Sequence, residues 1–182
     1  MQDNPTLSTI LSRTSIRHFT GEKLSEEEIE TLLHAAMAAP SSMNLQPWHF
    51  IIIDDETLIK QIIEALPYAK MLSEAGCGIV VCGDTSVYDR INRHDLEDNT
   101  LYWVQDISAA SENILLAAHA MGLGAVWTGI FPLESRISKI SKLLHLPTDI
   151  VPLNIIVAGH PLTTSGNVKE KWNPEKIHHN SF

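Results

Sequence analysis

One stretch constrains this chain more than any other, the run from Thr100 to Met121. It reads as a single helix, about 33 Å long at 1.5 Å rise per residue. It is apolar on most sides and crowded with small residues: Ala109, Ala110, Ser111, Ala117, Ala118 and Ala120. A helix that is apolar nearly all round must be covered nearly all round. A chain of 182 residues rarely manages that alone, so contact with a second copy is a natural way to complete the burial. Asp106, Glu112 and His119 interrupt the run, so it does not read as a membrane span. Gly122 supplies its stop.

Around this helix, helical and extended periods alternate. Asn4 is placed to cap a short first helix with Pro5 at its first position and Leu7, Ile10 and Leu11 as its apolar stripe. Ser25 and Glu28 form a capping box, Leu24 and Ile29 a hydrophobic staple, and Ile29, Leu32, Leu33, Ala36 and Met37 continue at helical spacing. Trp48 to Ile53 reads as a strand, and Asp54-Asp55 opens a helix whose Leu58, Ile59, Ile62 and Ile63 face inward until Pro67. Cys77 to Cys82, Gly124 to Ile130 and Leu153 to Ala158 read as further strands. Between the last two, Leu133, Ile137, Ile140 and Leu144 mark an amphipathic helix. Residues 84–99 read as polar and irregular. The pattern predicts a layered sheet flanked by helices and leaves the strand order open.

Length predicts one domain across residues 1–182, with no repeat, low-complexity tract or long linker. Thirteen basic and twenty-two acidic side chains give a formal charge of −9, which opposes non-specific binding to nucleic acid or an anionic membrane. Cys77 and Cys82 lie in one apolar run without metal-ligand spacing, as buried reduced thiols do. The first residues lack the basic start and apolar run of a secretory signal, so the expected location is cytoplasmic.

Several chemistries are missing from the pattern. There is no Walker-type phosphate loop and no Gly-x-Ser-x-Gly elbow, and Gly122-Leu123-Gly124 lacks the third glycine of a dinucleotide fingerprint. The nine histidines are scattered, and a metal site is not expected. Two polar clusters remain. In Arg13-Thr14-Ser15-Ile16-Arg17, alternate residues of an extended segment share a face, which sets two guanidiniums beside a hydroxyl. That grouping suits an anionic group, because arginine couples charge to several fixed donors. An ordinary surface loop with two arginines explains it equally well. The second cluster, Ala39-Pro40-Ser41-Ser42-Met43-Asn44-Leu45-Gln46-Pro47-Trp48, carries hydroxyls and carboxamides between stiffening prolines. Taken alone, a capped turn is its better explanation.

Together these segments resemble the nitroreductase family. The match adds Asp106 to Gly124, Val126-Trp127-Thr128-Gly129-Ile130-Phe131-Pro132 and the tail Lys169 to His178, in the family's order along most of the chain. The resemblance implies an α+β fold, an α/β/α sandwich whose mostly antiparallel sheet is flanked by helices. It also implies a homodimer packed along the long helix, with two FMN sites shared between subunits. Arg13, Ser15 and Arg17 match positions that contact the flavin phosphate, ribityl chain or pyrimidine edge. Pro40, Ser41, Ser42 and Asn44 match the loop given by the partner subunit. Thr128 and Gly129 match the turn beside the flavin's reactive nitrogen, and Lys169 and Lys171 match basic tail positions that reach the phosphate. Tyr68 and Lys70 are the candidates for the family's remaining pyrimidine contacts.

By the same resemblance, NADH or NADPH reduces FMN and leaves, and a nitroaromatic, quinone or similar conjugated acceptor takes its place in a ping-pong cycle. The flavin carries that chemistry and the protein binds, orients and tunes it, so no catalytic side chain is expected. Arg17 would favour negative charge developing at the pyrimidine end. Residues 84–103 are the candidate lid, with Tyr88, His94, Tyr102 and Trp103 as rings that could stack on a planar acceptor. For Trp103 a place in the core is an equally good reading, and for Trp48 and Trp127 a better one. Two rivals stand beside this function: a flavin-binding or flavin-handling protein without nicotinamide turnover, and a structural dimer with an empty pocket.

Overall fold

A computed structural model of the chain describes residues 4–89, 101–163, 168 and 170–182. Helix α1 (Pro5–Ser12) starts where Asn4 Oδ1 accepts the Leu7 N–H at 3.1 Å. Helix α2 (Glu26–Met37) has its full capping box: Ser25 Oγ accepts from Glu28 N at 3.2 Å, and Glu28 Oε2 accepts from Ser25 N at 2.8 Å. The backbone N–H of Ser25 holds the Glu28 carboxyl below the usual carboxylate range, burial opposes it, and the Ser25 hydroxyl and His160 add to the lowering. Asp55 caps helix α3 (Glu56–Ala65) through Leu58 N. The short helix α4 (Leu72–Ala75) was not legible in the sequence pattern.

Four strands form one sheet: β1 (Trp48–Ile53), β2 (Cys77–Asp84), β3 (Gly124–Gly129) and β4 (Ile150–Gly159). Their order is β1-β2-β4-β3, and every pairing is antiparallel. The inner strands β2 and β4 are the two most continuously apolar, as strands covered on both faces must be. Their register skips Leu153, with Val81 opposite Asn154 and Cys82 opposite Pro152, which bulges β4 next to its pairing with the end of β3.

Alternation divides the core in two. Ile79, Val81 and Ile156 face α2 and helix α6 (Tyr102–Ala120), packing with Leu32, Ala36, Ile107 and Ile114. Val80, Cys82, Ile155 and Val157 face α3, α4 and helix α7 (Glu134–Leu143), packing with Ile59, Ile62, Leu72 and Ile140. The result is the expected α/β/α sandwich. Both cysteines are buried, and burial pushes their thiols up to about 12. No helix among the described residues is long and apolar enough to cross a membrane.

The long helix is covered along one side by its own chain: Trp103, Asp106, Ile107, Ala110, Ser111, Ile114, Leu115 and Ala118 are buried. Ala109, Leu116 and Ala117 are only half-buried, and Ala120 is exposed. The apolar character that the sequence shows all round the helix therefore exceeds what one chain covers.

Candidate functional site

The segment after α1 owes its course to two apolar anchors, Ile16 and Phe19. Ile16 N donates to the Ala125 carbonyl at 3.1 Å, tying the segment to the free edge of β3. The Ile16 side chain packs inward on Gly124, where an added Cβ would come within 2.7 Å of it. Phe19 is buried beside it, and the bonds Thr20 N to His160 O and Leu162 N to His18 O fasten the end of the run. With Ile16 turned in, Arg13, Ser15 and Arg17 are left on the outer face.

These three side chains line one cleft of about 1030 Å³. Ile10 and Leu11 of α1 and Val168 and Trp172 of the tail supply apolar walls, and Lys171 adds a third cation. Lys169 lies outside the described residues. Glu112 of α6 also lines the cleft, and its Oε1 stands 3.6 Å from Arg13 Nε. That contact engages the Nε corner of the guanidinium and leaves its two terminal nitrogens for an anion. Glu170, the other acid, accepts from Trp172 N at 2.7 Å and is tied up in its own turn. Sequence reasoning did not single out Glu112, because nothing local signals that it will meet Arg13 across the fold.

The loop from Pro40 to Gln46 lies elsewhere. It is anchored on α6 by Asp106, whose carboxylate oxygens accept from Ser42 N at 2.9 and 3.0 Å. Asp106 and Glu112 are separated by about 9 Å along the helix axis and roughly 120° around it. Within one chain, the loop and the arginine cleft therefore meet α6 at different places, and none of Pro40, Ser41, Ser42 or Asn44 lines the cleft. Pro40 and Asn44 are exposed, while Ser41 and Ser42 are half-buried. Met43, Asn44 and Gln46 all have left-handed backbone, with φ of 50°, 56° and 52°. Non-glycine residues held there cost on the order of 1 kcal/mol or more each and persist only where the surroundings enforce them. The bonds from Gln46 N to Ser41 Oγ and from Gln46 Nε2 to Asn44 Oδ1, both 3.0 Å, are part of that enforcement.

Thr128 and Gly129 end β3, about 13 Å along the strand from Ala125. Thr128 is buried, and the Gly129 carbonyl faces two donors. Arg136 Nη1 donates to it at 3.0 Å and Tyr68 Oη at 3.4 Å, while the Arg136 guanidinium lies 4.2 Å from the centre of the Tyr68 ring. Burial raises the Tyr68 hydroxyl above its ordinary pKa, and Arg136 works against that rise. Tyr68 is thus brought to Gly129; Lys70 is exposed just beyond it. Arg136 was not foreseen, since only the fold sets α7 against the end of β3.

The aromatic candidates for the lid need correction. Tyr88 and Trp103 are buried in the core, at 2% and 4% exposure, and present no ring to solvent. Trp103 packs edge-on against Phe131 and over Gly83, where a Cβ would lie 2.5 Å from its ring. Tyr88 stands in helix α5 (Ser86–Asp89), a turn inside the stretch expected to be irregular, and donates to Asp106 Oδ2 at 2.5 Å. Burial and that carboxylate together raise the Tyr88 hydroxyl far above the ordinary tyrosine range. Tyr102 is half-buried against the Tyr88 ring. His94 and the middle of the expected lid, residues 90–100, lie outside the described residues. Among the described residues, no group of three His, Cys, Asp or Glu side chains is placed to hold a metal ion.

The family model described as the nitroreductase family matches residues 10–67 and 60–160. A provisionally named NADH dehydrogenase/NAD(P)H nitroreductase of Methanothermobacter thermautotrophicus is 41% identical over 172 residues, covering 94% of this chain and 85% of that protein. The FMN reductase (NADPH) of Bacillus subtilis is 28% identical, covering 98% of this chain and 75% of its own. Among solved structures, the NADPH:FMN oxidoreductase of Vibrio harveyi in complex with NAD+ superimposes with a TM-score of 0.84 at 29% identity, covering 98% of this chain and 78% of that one. By the extent of the family match and the identity of these relatives, the chain belongs to the nitroreductase family.

Proposed function

We propose that two copies of this chain form two flavin sites, each combining the arginine cleft of one copy with the Pro40–Asn44 loop of the other. The chain is an NAD(P)H-dependent flavin oxidoreductase whose cofactor is FMN, in keeping with its family and with relatives named as FMN reductase and NADPH-flavin oxidoreductase. The observation that carries the site is the convergence of Arg13, Ser15, Arg17 and Lys171 on one cleft. Its residues fit the cofactor. Three cations and a hydroxyl suit a phosphate and a polyol chain, while Ile10, Leu11, Val168 and Trp172 offer apolar surface. A volume of about 1030 Å³ is at the upper end for a site of this kind.

The flavin, when bound, supplies the hydride and electron chemistry. The chain's own residues bind and orient. Arg13, steadied by Glu112, would hold the phosphate through its terminal nitrogens, and Arg17 would set positive charge toward the ring's pyrimidine end. Arg136 and Tyr68 hold the Gly129 peptide in one orientation, which keeps the end of β3 rigid where a planar ring would lie against it. Leu116 and Ala117, half-buried in one chain, belong to the face of α6 on which the second copy packs.

In this reading the nicotinamide and the electron acceptor use the same opening in turn, and the acceptor is a nitroaromatic, a quinone or a similar conjugated compound. In this reading the chain acts in the cytoplasm as one domain. The test is anaerobic mixing of the FMN-loaded protein with NADPH and then NADH. Bleaching of the flavin absorbance and its return on adding an acceptor supports the reading. A flavin that neither nucleotide bleaches refutes nicotinamide turnover and leaves a flavin-handling protein.

A further inference from the structure

We propose that Asp106 is a positioning residue for the flavin site, setting the Pro40–Gln46 loop in its binding conformation through a bond network that also includes Tyr88. The inference rests on the reading above, in which that loop borders the cofactor. Asp106 does not touch the proposed cleft of its own chain. Its carboxylate is 6% exposed on α6 and accepts from Ser42 N with both oxygens and from the Tyr88 hydroxyl with one. A buried carboxylate held by three donor contacts is expensive to place and strongly directional once placed.

What it holds is a segment that would not keep its shape unaided. Met43, Asn44 and Gln46 are left-handed without being glycines, and the bonds among Ser41, Ser42, Asn44, Leu45 and Gln46 stay within the loop itself. The bonds from Ser42 N to Asp106 tie this strained unit to the rigid long helix. Tyr88 links the same carboxylate to α5, the last described turn before residue 90. One buried group therefore fixes the loop and braces α5 against the long helix. If α6 also packs against the second copy, the loop is delivered to the neighbouring site from a fixed platform.

The experiment is an FMN titration, followed by quenching of flavin fluorescence and by the visible absorbance and circular dichroism of the bound flavin. The proteins compared are the wild type, Asp106→Ala, Asp106→Asn, Tyr88→Phe, Asn44→Ala and Ser111→Ala. Ser111 is equally buried on α6 but bonds to Asn154 and the Ile107 carbonyl, away from the loop. Asp106→Ala is expected to weaken FMN binding about 10-fold or more and to alter the bound flavin's visible spectrum, as loss of a charge-assisted contact does. Asp106→Asn keeps an acceptor for Ser42 N and should recover part of that loss. Tyr88→Phe should lie between Asp106→Asn and the wild type. Ser111→Ala should lower the melting temperature while leaving FMN affinity within about 2-fold.

If Asp106→Ala does not fold, the order of the Asn and Phe variants decides the matter. Wild-type affinity and spectrum in the Asp106 variants, with Asn44→Ala weakened, overturn the positioning role and leave the loop in the site. An equal affinity loss in Ser111→Ala also overturns it, since the effect would then track stability alone. Unchanged affinity in Asn44→Ala and the Asp106 variants alike removes the loop from the site and this inference with it.

Discussion

Replacing Gly124 by alanine tests the way the cleft is built. An ideal Cβ at this position would stand 2.7 Å from Ile16 Cγ2, 2.9 Å from Ile16 Cβ and 3.1 Å from Phe19 Cε1. One of these atoms is next to the backbone, so a rotamer change of Ile16 cannot relieve all three contacts. The segment must retreat by about 1 Å to reach ordinary contact distance, and overpacking of this kind costs about 1–3 kcal/mol. The retreat also weakens the bond from Ile16 N to the Ala125 carbonyl, now 3.1 Å, for about 1 kcal/mol more. A total of about 2–4 kcal/mol lowers the melting temperature of a chain this size by roughly 5–15 °C. Arg13, Ser15 and Arg17 move with the segment, so FMN affinity should fall about 10-fold. The assay is a thermal melt of the flavin-free protein beside a fluorescence titration with FMN. Gly122→Ala is the control: its Cβ would enter open space, and the left-handed φ of +79° costs only about 1 kcal/mol with no effect on FMN. If Gly124→Ala melts within a degree or two of the wild type and binds FMN equally well, the segment is not docked on β3 as described.

Other consequences can be checked separately. Cys77 and Cys82, buried and with thiols raised to about 12, should resist alkylation at pH 8 in the native protein and react fully in denaturant; rapid native labelling of either would contradict their burial. The Glu28 carboxyl is held below the ordinary value of 4.5, so its capping bonds stabilise α2 fully above that pH and are lost as pH falls through the lowered value. Wild type should therefore melt above Glu28→Gln at pH 5, and the two should converge as the pH falls below 4.5. A gap that widens on acidification would reverse the sign of the argument.

Much of the fold was legible because its signals are local. The Ser25–Glu28 capping box, the Asn4 and Asp55 caps and the strand Trp48–Ile53 each announce themselves within a few residues, and each is present. The inward turn of Ile16 was legible from its apolar side chain among polar neighbours, and Arg13, Ser15 and Arg17 line the cleft as read, although Thr14 lines it too. What the pattern did not disclose depends on distant parts of the chain. The order β1-β2-β4-β3 and the bulge at Leu153 are settled by which strands bury both faces together. Glu112 meets Arg13, and Arg136 meets Gly129, only after folding. Tyr88 misled for the same reason: a tyrosine in a polar stretch looks exposed until the buried Asp106 that accepts its hydroxyl is in place. The left-handed Met43 and Gln46 were hidden too, because their type does not favour that region and the bonds that hold the loop there include those to distant Asp106.

The proposed flavin site requires Arg13 to grip the phosphate of FMN. The most direct measurement compares the affinities of FMN and riboflavin, which lacks the phosphate, in the wild type, Arg13→Ala and Ser141→Ala, the last altering α7 away from the cleft. One charge-assisted contact is worth about 1.5–3 kcal/mol, so FMN should lose roughly 10- to 100-fold in Arg13→Ala while riboflavin changes little. The ratio of the two affinities would then collapse in Arg13→Ala and persist in Ser141→Ala. An FMN-to-riboflavin ratio that is the same in all three proteins would contradict the assignment and place the phosphate elsewhere.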